Sequence, residues 1–517
     1  MPVLASNAVA TSQPLAAQAG LRMLLLGGNA VDAALAAAIA LTVVEPTMNG
    51  IGGDAFVLVW DQGRLHGLNA SGRAPATWTP DRFAGRDAMP LIGWDTVTVP
   101  GQVAGWADLS RRFGKLPFSD LFTPAIAYAE NGYYVSPVIA RQWAEQVEVL
   151  GSQPGFAQAF LRDGKAPRAG EQWRFPAQAR TLERIAQTMG RDFYEGELAD
   201  RIAAFAQETG GALRRADLVA HVNEWVEPIS VPYRDGYVVH EIPPNGQGIA
   251  ALMALGMLDT LEPARGLDDA ARLFHLPIEA LKLAFADLYA YVGEPSAMGS
   301  MTADLLQPDY LARRARLIDP GRAGGPTPGI PRNSGTVYLT TADASGMMVS
   351  YIQSNYKGFG SGVVVPDTGI ALHNRGRDFS LAAGHFNQVG PGKRPLHTII
   401  PGFLSRRGQP VAGFGVMGGN MQAQGHVQVV QQLVDLQHNP QAALDAPRFR
   451  IQPGASITLE SAVPTAVADA LSALGHSVEV QPADSLDFGS GQIIQRRENG
   501  AYVAGTDPRR DGVALGY

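Results

Sequence analysis

Gly335-Thr336 stands directly after a Gly- and Pro-rich stretch, Gly321 to Pro331, and at the head of a strand-like run, Val337 to Ala342. A threonine hydroxyl is a weak nucleophile. If the preceding peptide bond were cut, however, the freed α-amine, with a pKa of about 8, would sit on the same residue and could act as its base. Cleavage before Thr336 would therefore make a catalyst. Gly418 and Gly419, between a strand-like run and a helix start, offer backbone N–H groups with no side chain in the way, which suits an oxyanion hole. Taken alone, Gly-Thr at a strand start also reads as an ordinary turn, and Gly-Gly as a tight strand-to-helix connection.

Other chemistries are narrowed by composition. With no cysteine, thiol nucleophiles, disulfides and thiolate zinc sites are excluded. The net charge of −7 carries no basic block, which argues against nucleic acid. The ten histidines show no ligand spacing in sequence, so neither a metal nor another cofactor is expected. Gly50, Gly52 and Ala55 fit a loose dinucleotide pattern but follow a helix and precede a strand, the reverse of the required order. No G-x-S-x-G, Walker or H-E-x-x-H motif is present.

The elements that must position Thr336 are legible from periodicity. Helical patterns cover Pro14–Leu26, Ala30–Val43, Gly101–Phe113, Leu182–Met189, Leu198–Gln207 and Ala270–Tyr291. A hairpin joins Ala55–Trp60 to Arg64–Asn69. After residue 335 the pattern turns to strands: Val337–Ala342, Met347–Gln353, Val363–Pro366 and Val411–Met417, the last leading into a helix from about Met421 to Leu436. Apolar residues make up 46% of the chain and charged ones 17%, as in an ordinary soluble protein with a large core. The longest apolar stretch, Ala30–Val44, is interrupted by Asp32 and ended by Glu45 and Pro46, short of a bilayer span. Met1–Ala10 has no basic segment ahead of an apolar one, so a cytoplasmic location is expected.

Ordered blocks along nearly the whole chain resemble the gamma-glutamyltranspeptidase family of N-terminal-nucleophile hydrolases. They include GGNAVDAALAAAIALTVVEP with NGIGGDAF (Gly27–Phe56), SGRAPA (Ser71–Ala76), TVPGQVAGW (Thr98–Trp106) and FGSGVVVPDTGIALHNRGRDFS (Phe359–Ser380). PGKRPLHT (Pro391–Thr398), GVMGGN (Gly415–Asn420) and DPRRDG (Asp507–Gly512) continue the match. The resemblance implies an α+β fold, a four-layer αββα sandwich. It implies one proenzyme that splits into a large subunit, 1–335, and a small subunit, 336–517, which together remain one folded unit. Thr336 would be acylated by a donor and pass the acyl group to water or an amine. Ser354 falls where the family places a supporting hydroxyl, Gly418 and Gly419 match its oxyanion hole, and Arg73 matches an arginine that clamps the donor's α-carboxylate. An arginine in that loop also fits a surface ion pair. Asp378 matches the acceptor of the donor's α-ammonium, and Asn374 lies in the same segment.

The sequence departs from the family pattern in several places. Thr336-Val337-Tyr338 replaces threonine-threonine-histidine, Tyr356 replaces an asparagine, His397-Thr398 replaces a serine pair, and Arg375 replaces a neutral amide. These departures are expected to surround the pocket. Ser380–Pro391 is short where many relatives carry a lid. IQSNY (Ile352–Tyr356) and HNRG (His373–Gly376) look more like the branch containing oxamate amidohydrolase than like the glutathione-cleaving members. The leading expectation is an amidohydrolase acting on a small, carboxylate-bearing amide, with Arg375 as an added anion partner. True gamma-glutamyl transfer shares every catalytic residue and stays open, as does an uncut, inactive metabolite binder suggested by Val337-Tyr338. Neither a nucleic-acid nor a membrane partner is expected, and homo-oligomers are left open.

Overall fold

Period-two patterning fixes the central layers. In the Val337–Ala342 strand, Val337 and Leu339 enter one apolar cluster while Tyr338 and Ala342 enter another on the opposite face. The Met348–Ser354 strand divides likewise, Val349 and Tyr351 against Met348 and Ile352, as does Asp54–Asp61, Val57 and Val59 against Phe56, Leu58 and Trp60. Strands apolar on both faces must be covered on both. The computed structural model describes residues 1–263, 269–325, 336–452, 456–482 and 485–517, and among these the covering layers are a second sheet and a set of helices.

The first sheet runs Val513–Gly516, Ala8–Thr11, Val337–Ala342, Met348–Ser354, Asp54–Asp61, Arg64–Ala70, Glu224–Val226, all antiparallel. The second runs Val3–Ala5, Tyr502–Thr506, Ser490–Arg496, Gln409–Met417, Gly402–Arg406, Tyr237–Glu241, Ile229–Tyr233. Phe56, Tyr338, Ile352, Phe403, Met417 and Ile494 fill the space between them. Helices Pro14–Leu25 and Ala30–Val44 cover the outside of the first sheet, and Gly248–Asp259, Ala270–Tyr291 and Met421–Val430 cover the second. This is the αββα sandwich expected. Each sheet contains strands from both before and after residue 335; Val337–Ala342 itself pairs with Ala8–Thr11 on one side and Met348–Ser354 on the other.

Ala30–Val44 is buried along its whole length. Asn29 and Asp32 cap it reciprocally, at 3.0 and 2.9 Å. Its alanines let Pro14–Leu25 lie close, and a methyl on Gly20 would sit only 2.9 Å from the Ala33 carbonyl. Among the described residues no helix is long and apolar enough to cross a membrane.

Gly335 lies outside the described residues, and so does most of the Gly- and Pro-rich stretch before it. Residues 319–324, just upstream, are fastened to the body of the protein. His275 donates through Nε2 to the Asp319 carbonyl at 2.8 Å, which leaves its Nδ1 to accept from His476 Nε2 at 2.8 Å. Glu279 accepts from Gly324 N at 2.8 Å, and the Lys282 ammonium bonds Glu279 at 2.8 Å and the Gly324 carbonyl at 3.2 Å. Burial first, then Lys282 and His275, push His476 down to about 3, so it is neutral. His275 and Glu279, one turn apart on Ala270–Tyr291, meet the distant His476 close enough for a metal ion. Lys282 holds the place a cation would take, and the cluster is a self-satisfied network.

Candidate active site

Thr336 is buried one residue before its strand, beside the end of the neighbouring strand, where Val337 faces Gln353 and Ser354 follows. Its Oγ1 donates to Ser354 Oγ at 3.3 Å, and Ser354 Oγ accepts from the Tyr356 backbone N–H at 2.6 Å. The Gln422 amide donates to Thr336 Oγ1 at 3.1 Å from the first turn of the Met421–Val430 helix. The glycine turn before that helix has positive φ at both residues, +119° at Gly418 and +63° at Gly419, a conformation that favours glycine. Its carbonyls accept from Met421 N and Gln422 N. Gln247 ties it further, donating to the Gly419 carbonyl at 2.8 Å and the Thr398 carbonyl at 2.6 Å.

The contacts continue from Ser354 into a charged wall. Tyr356, at φ +77°, donates its hydroxyl to Asp378 Oδ1 at 2.6 Å. The Arg375 guanidinium lies 4.1 Å from the centre of the Tyr356 ring and donates to Asp378 Oδ2 at 3.1 Å and Thr398 Oγ1 at 2.8 Å. Arg375 is wholly buried, yet its Nε and Nη2 have no hydrogen-bond partner among the described residues. Burial lowers the Arg375 pKa against the pull of Asp378. It also raises that of Asp378, with Arg375 and Tyr356 opposing. Buried donors left unmatched are costly, and an anion would satisfy them.

Three of the residues singled out in sequence are engaged by the protein itself. The Asn374 side chain bonds the Leu91 carbonyl at 2.8 Å and accepts from Lys357 N at 3.0 Å, holding two loops together. His397 donates through Nε2 to Asp54 at 3.1 Å and accepts at Nδ1 from Ile399 N at 3.3 Å, so it is neutral, and burial pushes it down to about 3. Arg73 is half-exposed and meets Glu224 at 2.8 Å, Glu294 at 3.0 Å and the Gly392 carbonyl at 3.0 Å. Burial raises Glu224, but Arg394 and Arg73 outweigh it and hold its carboxyl below the usual range.

Two departures from the family pattern prove to be matters of packing. Val337 belongs to the outer core, and Tyr338 lies between the sheets with its hydroxyl 2.7 Å from Ser350 Oγ, over Gly415, where any side chain would collide with the ring. The expectation that all the departures surround the pocket is thus corrected for these two. The short Ser380–Pro391 segment closes on itself: Ser380 N bonds the Asn387 carbonyl, and the Asn387 amide bonds the Asp378 carbonyl at 2.6 Å.

Several residues escaped the sequence reading. Asp54, buried at a strand start, receives His397, Gly101 N at 3.0 Å and Gly72 N at 3.3 Å, with His373 Nδ1 at 3.3 Å. It thereby gathers the loops carrying Arg73, Thr98, Arg375 and Thr398. Burial alone would raise its pKa; His373 and His397 reverse this and hold it far below the usual carboxylate range. Gln422 and Gln247 were missed too. Of the glycines of the false dinucleotide match, Gly52 presses on Ala371 and Leu372 and Gly50 on Asn355, where an added Cβ has no room.

The sequence pattern described as Gamma-glutamyltranspeptidase matches residues 16–517. This chain belongs to the gamma-glutamyltranspeptidase family. It is 37% identical over 510 residues to the glutathione hydrolase-like YwrD proenzyme of Bacillus subtilis (strain 168), with 97% of each chain covered. It is 38% identical over 522 residues to the oxamate amidohydrolase proenzyme of Klebsiella pneumoniae, again with 97% of each covered. Its fold matches a crystal structure of cephalosporin acylase from Bacillus halodurans with a TM-score of 0.96 and 49% identity, covering 100% of this chain and 97% of that one. It is therefore a hydrolase of the N-terminal-nucleophile type, an enzyme of the amidohydrolase and acyltransferase class.

Proposed function

We propose that this enzyme cuts itself between Gly335 and Thr336 and then uses Thr336 to hydrolyse the amide of a small substrate that carries a carboxylate, of the oxamate kind. The α-amine of Thr336 takes the hydroxyl proton as Oγ1 attacks the amide carbon. N–H groups of the Gly418-Gly419 turn receive the negative oxygen. The leaving amine departs with the proton, and water then breaks the ester on Oγ1. The proposed products of maturation are a 1–335 and a 336–517 chain held together by the shared sheets.

The observation that carries the substrate class is Arg375, buried with two donor nitrogens unengaged and joined to the nucleophile through Tyr356, Ser354 and Thr336. A guanidinium fork suits a carboxylate. Arg73, assigned that task by resemblance, already faces two carboxylates, which leaves Arg375 the better placed partner. Gamma-glutamyl transfer is the second reading, favoured by the retained Asp378. Both oxygens of Asp378 already accept from Tyr356 and Arg375, however, and the arginine would repel an incoming ammonium. The inactive-binder reading loses its support, because Val337 and Tyr338 serve the core.

Intact mass and N-terminal sequencing of purified protein test the first step. Two chains beginning at residues 1 and 336 are expected, with Thr336→Ala remaining a single chain. A wild-type chain still whole after long incubation, or a break elsewhere, would refute it. Oxamate and a gamma-glutamyl anilide compared on the cut enzyme test the second; preference for the anilide would promote the transferase reading.

A further inference from the structure

Gln422 is wholly buried, and its two ends are distinguished by their partners. The Ile400 backbone N–H can only donate, so the atom it meets at 3.0 Å is Oε1. The –NH2 group therefore faces Thr336 Oγ1, at 3.1 Å. The hydroxyl that accepts this bond donates its own proton to Ser354 Oγ. A neutral donor, aimed by a backbone amide, is thus already in place on the reacting oxygen.

We propose that Gln422 is a catalytic residue whose amide stabilises Thr336 Oγ1 when that oxygen leaves an ester. The inference rests on the reading of Thr336 as nucleophile. In turnover, water adds to the acyl carbon, the carbon–Oγ1 bond breaks, its electron pair stays on Oγ1, and the proton lost by water returns to that oxygen by way of the α-amine. Maturation ends in the same step, with the Gly335 acyl group as the ester's acid half. A donor preset on Oγ1 opposes the charge that appears there without any rearrangement. In the forward attack the same bond draws electron density from the nucleophile, so its benefit falls on ester breakdown rather than on ester formation. A glutamine also donates at every pH, whereas a carboxyl group in its place donates only when protonated.

Gln422→Met keeps the length and apolar stem and removes the donor. In the full-length chain, ester breakdown during maturation should slow by about 100-fold, the loss typical of one such donor. A species split by neutral hydroxylamine after denaturation should accumulate, and a pre-steady-state burst should appear with the gamma-glutamyl anilide or oxamate, whichever the wild type turns over. Gln422→Glu retains an acceptor for Ile400 and should be slow at neutral pH, recovering relative to wild type as the pH is lowered. Wild-type-like maturation and turnover in Gln422→Met would overturn the proposal, as would a stalled precursor with no hydroxylamine-labile ester. Should Gln422→Met fail to fold, the Gln422→Glu profile decides, and no recovery in acid overturns it. A wild-type chain that never cuts refutes the reading of Thr336 instead; one that cuts normally beside an unaffected Gln422→Met refutes only the role of Gln422.

Discussion

Around Thr336 the hydrogen-bonding side chains of Ser354 and Gln422 are neutral, whereas around Arg375 the neighbours are Asp378, the Tyr356 ring and two unmatched guanidinium nitrogens. The two ends touch through Ser354 and Tyr356, yet they solve different problems. On the proposed reading, the neutral partners Ser354 and Gln422 would hold the Thr336 hydroxyl in place without fixing its protonation, so that its proton could move during the reaction. A buried charge with spare donors is costly to the folded protein and would be completed by a bound anion. On the proposed reading the first end carries a reaction that members of the family would share. The second is where members can differ in what they accept.

The sharpest way to break this division is at the nucleophile end. Gly419→Ala places a side chain at φ +63°, and Gly418→Ala brings a Cβ to 3.1 Å from Gly489 Cα and 3.2 Å from Met421 Cβ. Either should lower kcat by about 100- to 1000-fold with little change in KM, as loss of an oxyanion donor does. Steady-state kinetics on cut enzyme check this, and near-normal kcat would reduce the pair to a turn.

At the donor end the expected effect is smaller and falls on KM. Arg375→Gln should raise KM for oxamate by about 10-fold or more, since a hydrogen bond to a charged group is worth about 1.5–3 kcal/mol. Arg73→Lys should raise it less, because the Arg73 charge is already balanced by Glu224 and Glu294. The opposite ranking would return the carboxylate to Arg73.

The smallest effect is on stability against acid. His397 at the donor end and His476 beside Lys282 are each pushed down to about 3, and His221 and His240 to about 4, in every case chiefly by burial. Between pH 6.5 and these values the unfolded chain binds protons that the folded chain refuses. Their contribution is therefore complete above about pH 6.5 and lost as pH falls through that window. Glu45, raised to about 7 by burial, has the opposite sign and loses its contribution as pH rises towards 7. Glu241 and Asp378, also raised by burial, act in the same sense as Glu45. NMR titration should find these four imidazoles unprotonated from pH 6.5 to 4.5, and protonation near pH 6.5 would contradict the neutral assignments.

Much of the scaffold was legible because long periodic segments report their own faces. Ala270–Tyr291 and Val337–Ala342 match their expected bounds, and the Asp61-Gln62-Gly63 turn joins the strands it was expected to join. The expected Met421–Leu436 helix is α-helical only to Val430, then continues as a π-helical turn, Gln431–Asp435. Short strands such as Val3–Ala5 and Tyr502–Thr506 give too few residues to show a period. Gln422 was hidden for another reason: Met421–Val430 is buried on every side, so its polar residues carry no amphipathic signal. Its glutamines instead satisfy passing backbone, Gln424 accepting from Ile451 N and Gln428 from Phe449 N. A run of amides in a helix opened by Gly-Gly was the available clue. Asp54 needed partners more than 300 residues away, His373 and His397, and no local pattern reports such a meeting.

The pairing of early with late strands in each sheet has a consequence for assembly. Before a cut at 335–336, the Val337–Ala342 strand finds Ala8–Thr11 as part of one molecule, a first-order search. After the cut the same pairing joins two molecules, and recovery from unfolding becomes second-order and dependent on concentration. The proposed maturation would thus replace a one-chain refolding equilibrium by persistence governed by the rate at which the sheets open. A cut enzyme would be durable while folded and poorly renewable once melted, whereas a Thr336→Ala chain, uncut, should refold at a rate independent of its dilution.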